Sequence, residues 1–220
     1  MKAMILAAGE GRRLRPLTET TPKPLLKAGN HCLIEYHLLA LKKIGISEVI
    51  INLSYLAENI SSFLGDGARY GLKLRYSFEP IMLGTGGGIF NALSLLGKEP
   101  FLLISADIWS DYAYSDVLLH SNNEAHLVLV ENPDYHTRGD YGLDAAGMVV
   151  RVAPLYTFAG IAKINPKIFS HSAVGNFSIA PLIEASIAKQ KVSGELFHGA
   201  WFNVGTLQEL EKLNKHLSDL

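Results

Sequence analysis

Cysteine is almost absent from this 220-residue chain, with Cys32 standing alone. A single thiol forms no internal disulfide and no cysteine zinc cluster, and this usage fits a reducing compartment. A dominant charge sign is missing too. The 20 Lys and Arg nearly balance 21 Asp and Glu, for a formal net charge of −1. That balance excludes a surface that grips nucleic acid all over, but not a local basic pocket. No apolar run approaches the roughly 20 residues of a membrane span. The apolar segment 3–8 is too short for a signal-peptide core and has no cleavage pattern. Neither a nucleic-acid nor a membrane partner is expected, and the expected location is the cytoplasm. No linker rich in Pro, Gly or Ser, no internal repeat and no low-complexity tract divides the chain. What is plentiful is apolar side chain, 48% against 19% charged. That suffices for one sizeable core, so a single domain over 1–220 is expected.

Met4, Ile5 and Leu6 read as a short buried strand cut off by Gly9. Ile34, Leu38, Leu41 and Ile44 recur at helical spacing, with Gly45 placed to end the helix. A strand is expected over 49–53, a helix on Leu56, Ile60 and Leu64 ended by Gly65, and an alternating strand over 72–78. Residues 84–88 read as a glycine turn that opens a helix through Leu96, and 101–104 as an apolar strand running to Asp107. Asp111 reads as the cap of a following helical stretch. Strands alternating with helices predict an α/β fold with a doubly wound, mixed but mostly parallel sheet. Ligands of such sheets bind outside the carboxyl ends of the strands. Beyond residue 123 the pattern changes to a strand over 126–130 and a polar loop over 132–144. A β-ribbon from 148–152 and 156–164 follows, then helices over 179–189 and 207–217. This second half reads as an insertion and lid on the same domain.

The stretch LAAGEGRRLRPLTETTPKPLL, residues 6–26, places three arginines and a lysine between prolines on a loop directly after the first strand. It is not a full dinucleotide fingerprint, because Leu14 stands where the third glycine belongs. It is not a Walker loop, because no Gly-Lys-Ser/Thr follows. A solvated charged turn remains as the plain alternative. Its position at a strand end favours an anion instead: Gly9 and Gly11 let backbone N–H groups approach, while Arg13, Arg15 and Lys23 add charge. A phosphate ester, at roughly −1.5 to −2 charge, makes that density intelligible.

The segment LAAGEGRRLRPLT with the following PKPL resembles the signature of the sugar-1-phosphate nucleotidyltransferases. GTGGG at 84–88, ADIW at 106–109, RGDY at 138–141, FAGI at 158–161 and WFNVGT at 201–206 fall in that family's order, so the resemblance covers essentially the whole chain. It implies a Rossmann-like nucleotidyltransferase fold with a nucleotide-binding half over 1–122 and a β-rich sugar-binding half over 123–220. The short chain, the triple glycine, Trp109 after Asp107 and the RGDY segment resemble the single-domain branch that joins UTP to N-acetylmuramic acid α-1-phosphate in peptidoglycan recycling. The implied reaction is in-line displacement at the α-phosphorus with release of pyrophosphate and with Mg2+ as cofactor.

On that resemblance Arg13 and Lys23 are catalytic, binding the triphosphate and the reacting phosphates. Lys23 otherwise reads as a solvent-facing turn lysine. Leu6, Ala7, Ala8, Gly9, Gly11, Gly84 and Thr85 belong to the nucleotide subsite, and Glu79 falls where related uridylyltransferases place a glutamine that reads uracil. Asp107 is implied in the metal and sugar subsites, with a turn or cap aspartate as the alternative. Asn203 stands where many relatives have a metal-binding aspartate, and otherwise holds a turn before Gly205. Tyr141, Gly142, Ala159 and Gly160 are implied around the sugar. Arg138 either meets an anionic substituent of the sugar or braces its loop through Asp140. A glycosyltransferase of similar topology is disfavoured, because Trp109 stands where its Asp-x-Asp metal motif needs aspartate. Mannose-1-phosphate with GTP and glucose-1-phosphate with UTP or dTTP are the alternative substrate pairs, and a non-catalytic nucleotide-sugar binder is the alternative of another class.

Overall fold

The computed structural model describes residues 1–119 and 123–220. The expected join of the two halves, after residue 122, lies outside the described residues. In chain order the strands of the first half are β1 (Ala3–Leu6), β2 (Lys27–Ala28), β3 (His31–Cys32), β4 (Glu48–Leu53), β5 (Lys73–Phe78), β6 (Phe101–Ser105) and β7 (Ile108–Ser110). Those of the second are β8 (Ala125–Val130), β9 (Gly142–Leu143), β10 (Val149–Val150), β11 (Thr157–Ile164), β12 (Val192–Phe197) and β13 (Trp201–Asn203). The helices are α1 (Leu33–Lys43), α2 (Ala57–Leu64), α3 (Gly84–Leu96), α4 (Tyr114–Leu119), α5 (Ala180–Ile187) and α6 (Leu207–Ser218).

Seven strands form one sheet in the order β12-β8-β11-β6-β1-β4-β5. β6, β1, β4 and β5 run parallel, β12 is parallel to β8, and β11 is antiparallel to both its neighbours. Alternation along each strand sends side chains to opposite faces. Ala3 and Ile5 of β1 join Val49 and Ile51 of β4 in a cluster packed by α1, α2 and α4. Met4 and Ile50 point the other way, into a cluster packed by α3 and α5. Ile5, Ile50 and Ile51 are fully buried, and each contributes about 2 kcal/mol by leaving water. The doubly wound expectation therefore holds. Among the described residues no helix is long and apolar enough to cross a membrane.

Chain direction explains where a ligand fits. From β1 the chain winds outward through β4 to β5, then returns to the other side of β1 as β6. Strand order reverses between β1 and β6, and a crevice opens outside the carboxyl ends of two strands whose connections diverge.

Three expectations need correction. Residues 148–152 and 156–164 do not form a ribbon with each other. β10 pairs with β9, while β11 enters the main sheet between β8 and β6. Six of the eight β11 residues are buried, as suits a strand covered on both faces. The second half is consequently no insertion on a finished sheet, because β8, β11 and β12 are three of its seven strands. Gly84 to Gly88 are not a turn ahead of a helix but the first residues of α3 itself. Asp111, finally, lies three residues before α4 rather than at its cap position.

Candidate active site

A cavity of about 350 Å³ opens at the carboxyl ends of β1, β4, β5 and β6. Leu6, Ala7, Ala8 and Gly9 line it from the β1 end, Asn52 and Glu79 from β4 and β5, and Ser105, Ala106 and Asp107 from β6. Lys23, Pro24, Met82, Gly84, Thr85 and Asn176 complete the wall. Of the nucleotide subsite expected from sequence, only Gly11 and Arg13 do not line it.

One end of the cavity is a buried polar network. The Ala7 N–H donates to Asn52 Oδ1 at 3.0 Å, Asn52 Nδ2 donates to Glu79 Oε1 at 2.7 Å, and the Leu83 N–H donates to Glu79 Oε2 at 3.0 Å. Buried polar groups need such partners, and here both carboxylate oxygens have one. The glycines of α3 make room for this. A Cβ on Gly88 would lie 2.5 Å from Glu79 Oε1, and one on Gly87 would lie 2.1 Å from the Gly175 carbonyl. The N–H groups of Gly86 and Gly87 donate to the Phe177 carbonyl, so at those two positions the helix start is spent on packing.

The other end is ionic. Lys23 Nζ donates to Asp107 Oδ2 at 2.6 Å. The Lys23 side chain is 10% exposed and that of Asp107 40%. Lys23 is no solvent-facing lysine: the Pro22–Lys23–Pro24 turn carries it inward. Gly11 has φ 64°, and a Cβ there would crowd Thr18 and Lys23. Its carbonyl accepts from the buried Thr18 hydroxyl, so Gly11 shapes the loop from outside the cavity. Arg13 packs its guanidinium over Gly205. Arg12 and Arg15 both pair with Glu10, and Arg12 holds that carboxyl below its usual range.

β7 and β13 pair antiparallel with Asn203 opposite Ile108, and the Val204 N–H donates to the Asp107 carbonyl. The two residues expected at a metal thus stand side by side. Asn203 Oδ1 is buried and has no hydrogen-bond partner among the described residues. Beneath this ribbon His37 is fully enclosed and shares a hydrogen bond with the Tyr114 hydroxyl. Burial pushes its pKa down to about 4, against the pull of Asp107.

The residues expected around a sugar are more scattered. Gly160, with φ 76°, sits where the β11 register slips, and a Cβ there would lie 2.9 Å from Ser105 Oγ of the cavity wall. Ala159 is buried, and its carbonyl accepts from the Trp201 indole. Tyr141 is 5% exposed and belongs to the core cluster under α3, with Arg151 over its ring. Gly142 is enclosed by the carbonyls of Val152 and Pro154. Arg138 is exposed, and no ion pair holds it among the described residues. Asp140 is engaged by His136 and by the Phe158 N–H. The bracing contact expected of Arg138 therefore falls to His136.

Asn52, Ser105 and Asn176 were missed by sequence reasoning. Asn52 had a signal: a lone amide inside the apolar run Val49-Ile50-Ile51-Asn52-Leu53, near its carboxyl end. Asn176 had none, since it reaches the cavity only because its segment packs across α3.

A family model for nucleotidyl transferases matches residues 2–219 of the chain. An N-acetylmuramate α-1-phosphate uridylyltransferase from Neisseria meningitidis serogroup B is 40% identical over 222 residues, covering 96% of each chain. A protein of the same name from Caulobacter vibrioides is 33% identical, covering 94% of this chain and 92% of its own. Among solved structures, a Bacillus anthracis protein described as a glucose-1-phosphate thymidylyltransferase, in complex with sucrose, superposes with a TM-score of 0.89 at 23% identity. It covers all of this chain and 96% of its own, a likeness of fold.

Proposed function

The chain belongs to the nucleotidyl transferase family, and from that premise we propose that it transfers uridylate from UTP to N-acetylmuramic acid α-1-phosphate and releases pyrophosphate. The observation that carries this reading is similarity along the whole chain to two relatives so named. The cavity, lined by a buried hydrogen-bonded network at one end and by the Lys23–Asp107 ion pair at the other, has the layout a nucleotide needs. A sugar-phosphate oxygen attacks the α-phosphorus in line, a new P–O bond forms, and the bond to the pyrophosphate oxygen breaks. Protein work in such a step is positioning and charge neutralisation. Lys23, a compact point charge at the cavity wall, neutralises the reacting phosphate. Arg13, on the same loop but outside the wall, meets the departing pyrophosphate.

Mg2+ fits the residues present. Asp107 offers a carboxylate, and the buried Asn203 Oδ1 is an oxygen that lacks a partner among the described residues. Magnesium prefers oxygen and takes several ligands from phosphates and water, so the protein need supply only a few of them. Asp107 and Asn203 would hold the ion, and bound there it would offset phosphate charge. The product chemistry belongs to recycling of cell-wall sugar in the cytoplasm.

A substrate matrix tests this. Each nucleoside triphosphate is mixed with each sugar-1-phosphate and magnesium, and pyrophosphate release is followed. UTP with N-acetylmuramic acid α-1-phosphate is expected to be the best pair. Release only from GTP with mannose-1-phosphate would move the protein to another branch, and no release from any pair would end the reading.

A further inference from the structure

Asp107 faces two demands that one carboxylate does not meet at once. It stands beside Asn203 where the β7–β13 ribbon begins, as one of the two residues fitted to hold a cation. It is also the counter-ion of Lys23, whose Nζ donates to Oδ2 at 2.6 Å. The Lys23 side chain is 10% exposed, and an ammonium withdrawn that far from water loses its partner only at high cost. Asn203 offers an oxygen but no charge. The charges of Lys23, Asp107 and Asn203 therefore cancel, and a divalent ion gains little by approaching them. A cation on the other oxygen of Asp107 would stand only a few ångström from the ammonium, where like charges repel.

We propose that Lys23 sits on Asp107 as a resident counter-charge, which closes the metal site of the empty protein until a phosphate group draws the ammonium away. This deepens the nucleotidyl reading above and rests on it. The turn between Pro22 and Pro24 fixes the Lys23 backbone, while the ammonium rides on a flexible four-carbon stem. Lys23 and Asp107 line the same cavity, so a phosphate bound there offers the ammonium a second anion of roughly −1.5 to −2 charge. When Nζ turns to it, Asp107 recovers its full negative charge beside Asn203 Oδ1, and the phosphate adds more. Lys23 thus couples the two ligands, and by linkage each tightens the other. The sign of its effect sets this role apart from a structural one. Losing a supporting residue weakens metal binding, whereas losing the counter-charge strengthens it.

Mn2+ is the probe, because it takes the same oxygen ligands as Mg2+ and its free form is counted by electron paramagnetic resonance. The nucleotide-free parent and Lys23→Met are titrated with it, and Lys23→Gln is a second neutral variant should Lys23→Met not fold. The neutral variant is expected to bind Mn2+ about tenfold or more tighter than the parent. Adding Asp107→Asn to it is expected to abolish the gain. Unchanged or weaker binding in the folded neutral variant, or a gain that survives Asp107→Asn, overturns the counter-charge. Calorimetric titration of the parent with each nucleoside triphosphate and magnesium runs alongside. If a nucleotide binds there, failure of the metal test leaves the nucleotidyl reading standing. If none binds, the reading falls and the proposal with it.

Discussion

Lys23 shows what a single residue position hides. Its motif is plain in the sequence, but the turn between two prolines reads equally well as exposed, and only the fold reveals that it is buried against Asp107 at 2.6 Å. Asp107 keeps enough exposure to stay hydrated when its partner is lost. Lys23→Ala should therefore destabilise the protein by only about 1 kcal/mol, the range for a partly screened pair. Turnover should suffer far more. Loss of a charge aimed at the reacting phosphate costs on the order of 3 kcal/mol of transition-state stabilisation, or about a hundredfold in kcat. Urea unfolding and steady-state rates on the same preparation check the split. A folded variant with unchanged kcat would remove Lys23 from the chemistry.

At the scale of elements, periodicity made most of the fold legible. β1, β4, β5, α1 and α2 fall close to where apolar spacing and the glycines after the helices put them. The failures have physical causes. β11 is largely apolar on both faces, with Thr157 and Lys163 as its polar residues, so alternation could not say whether it paired locally or entered the sheet, and its partners lie far off in the chain. The glycines of α3 misled for a different reason. Glycine is a poor helix former, costing about 1 kcal/mol relative to alanine, so a run of them argues for a turn. Here close packing offsets that cost, since the helix start lies against the 175–179 segment and the Glu79 carboxylate with no room for side chains. Gly87→Ala, a change that propensity alone would favour, should instead destabilise by about 2 kcal/mol, because its Cβ would lie 2.1 Å from a backbone carbonyl. Thermal unfolding checks this, and a melting temperature equal to or above the parent's would refute it.

Across the whole molecule, the sheet order is what creates the site, and no local pattern encodes it. The reversal between β1 and β6 opens the crevice, and the β7–β13 ribbon carries Asn203 from the far end of the chain to the neighbour of Asp107. Families of motifs in fixed order made the site's first half legible; contacts across 94 residues, such as Asn176 with the Met82 carbonyl, were not. The same assembly encloses His37, and that has a consequence for the stability of the entire fold. Burial holds its native pKa near 4, below the ordinary 6.5. Between those values the unfolded chain binds a proton that the native chain refuses. Stability therefore rises with pH through this window and is lost as pH falls through it. From pH 7 to pH 5 the loss attributable to His37 is about 2 kcal/mol. His37→Gln, which keeps a polar group for the Tyr114 hydroxyl but does not titrate, should lose correspondingly less. Urea unfolding of both proteins at the two pH values measures the difference. Parallel losses in parent and variant would mean that His37 is not the group that makes the fold sensitive to acid.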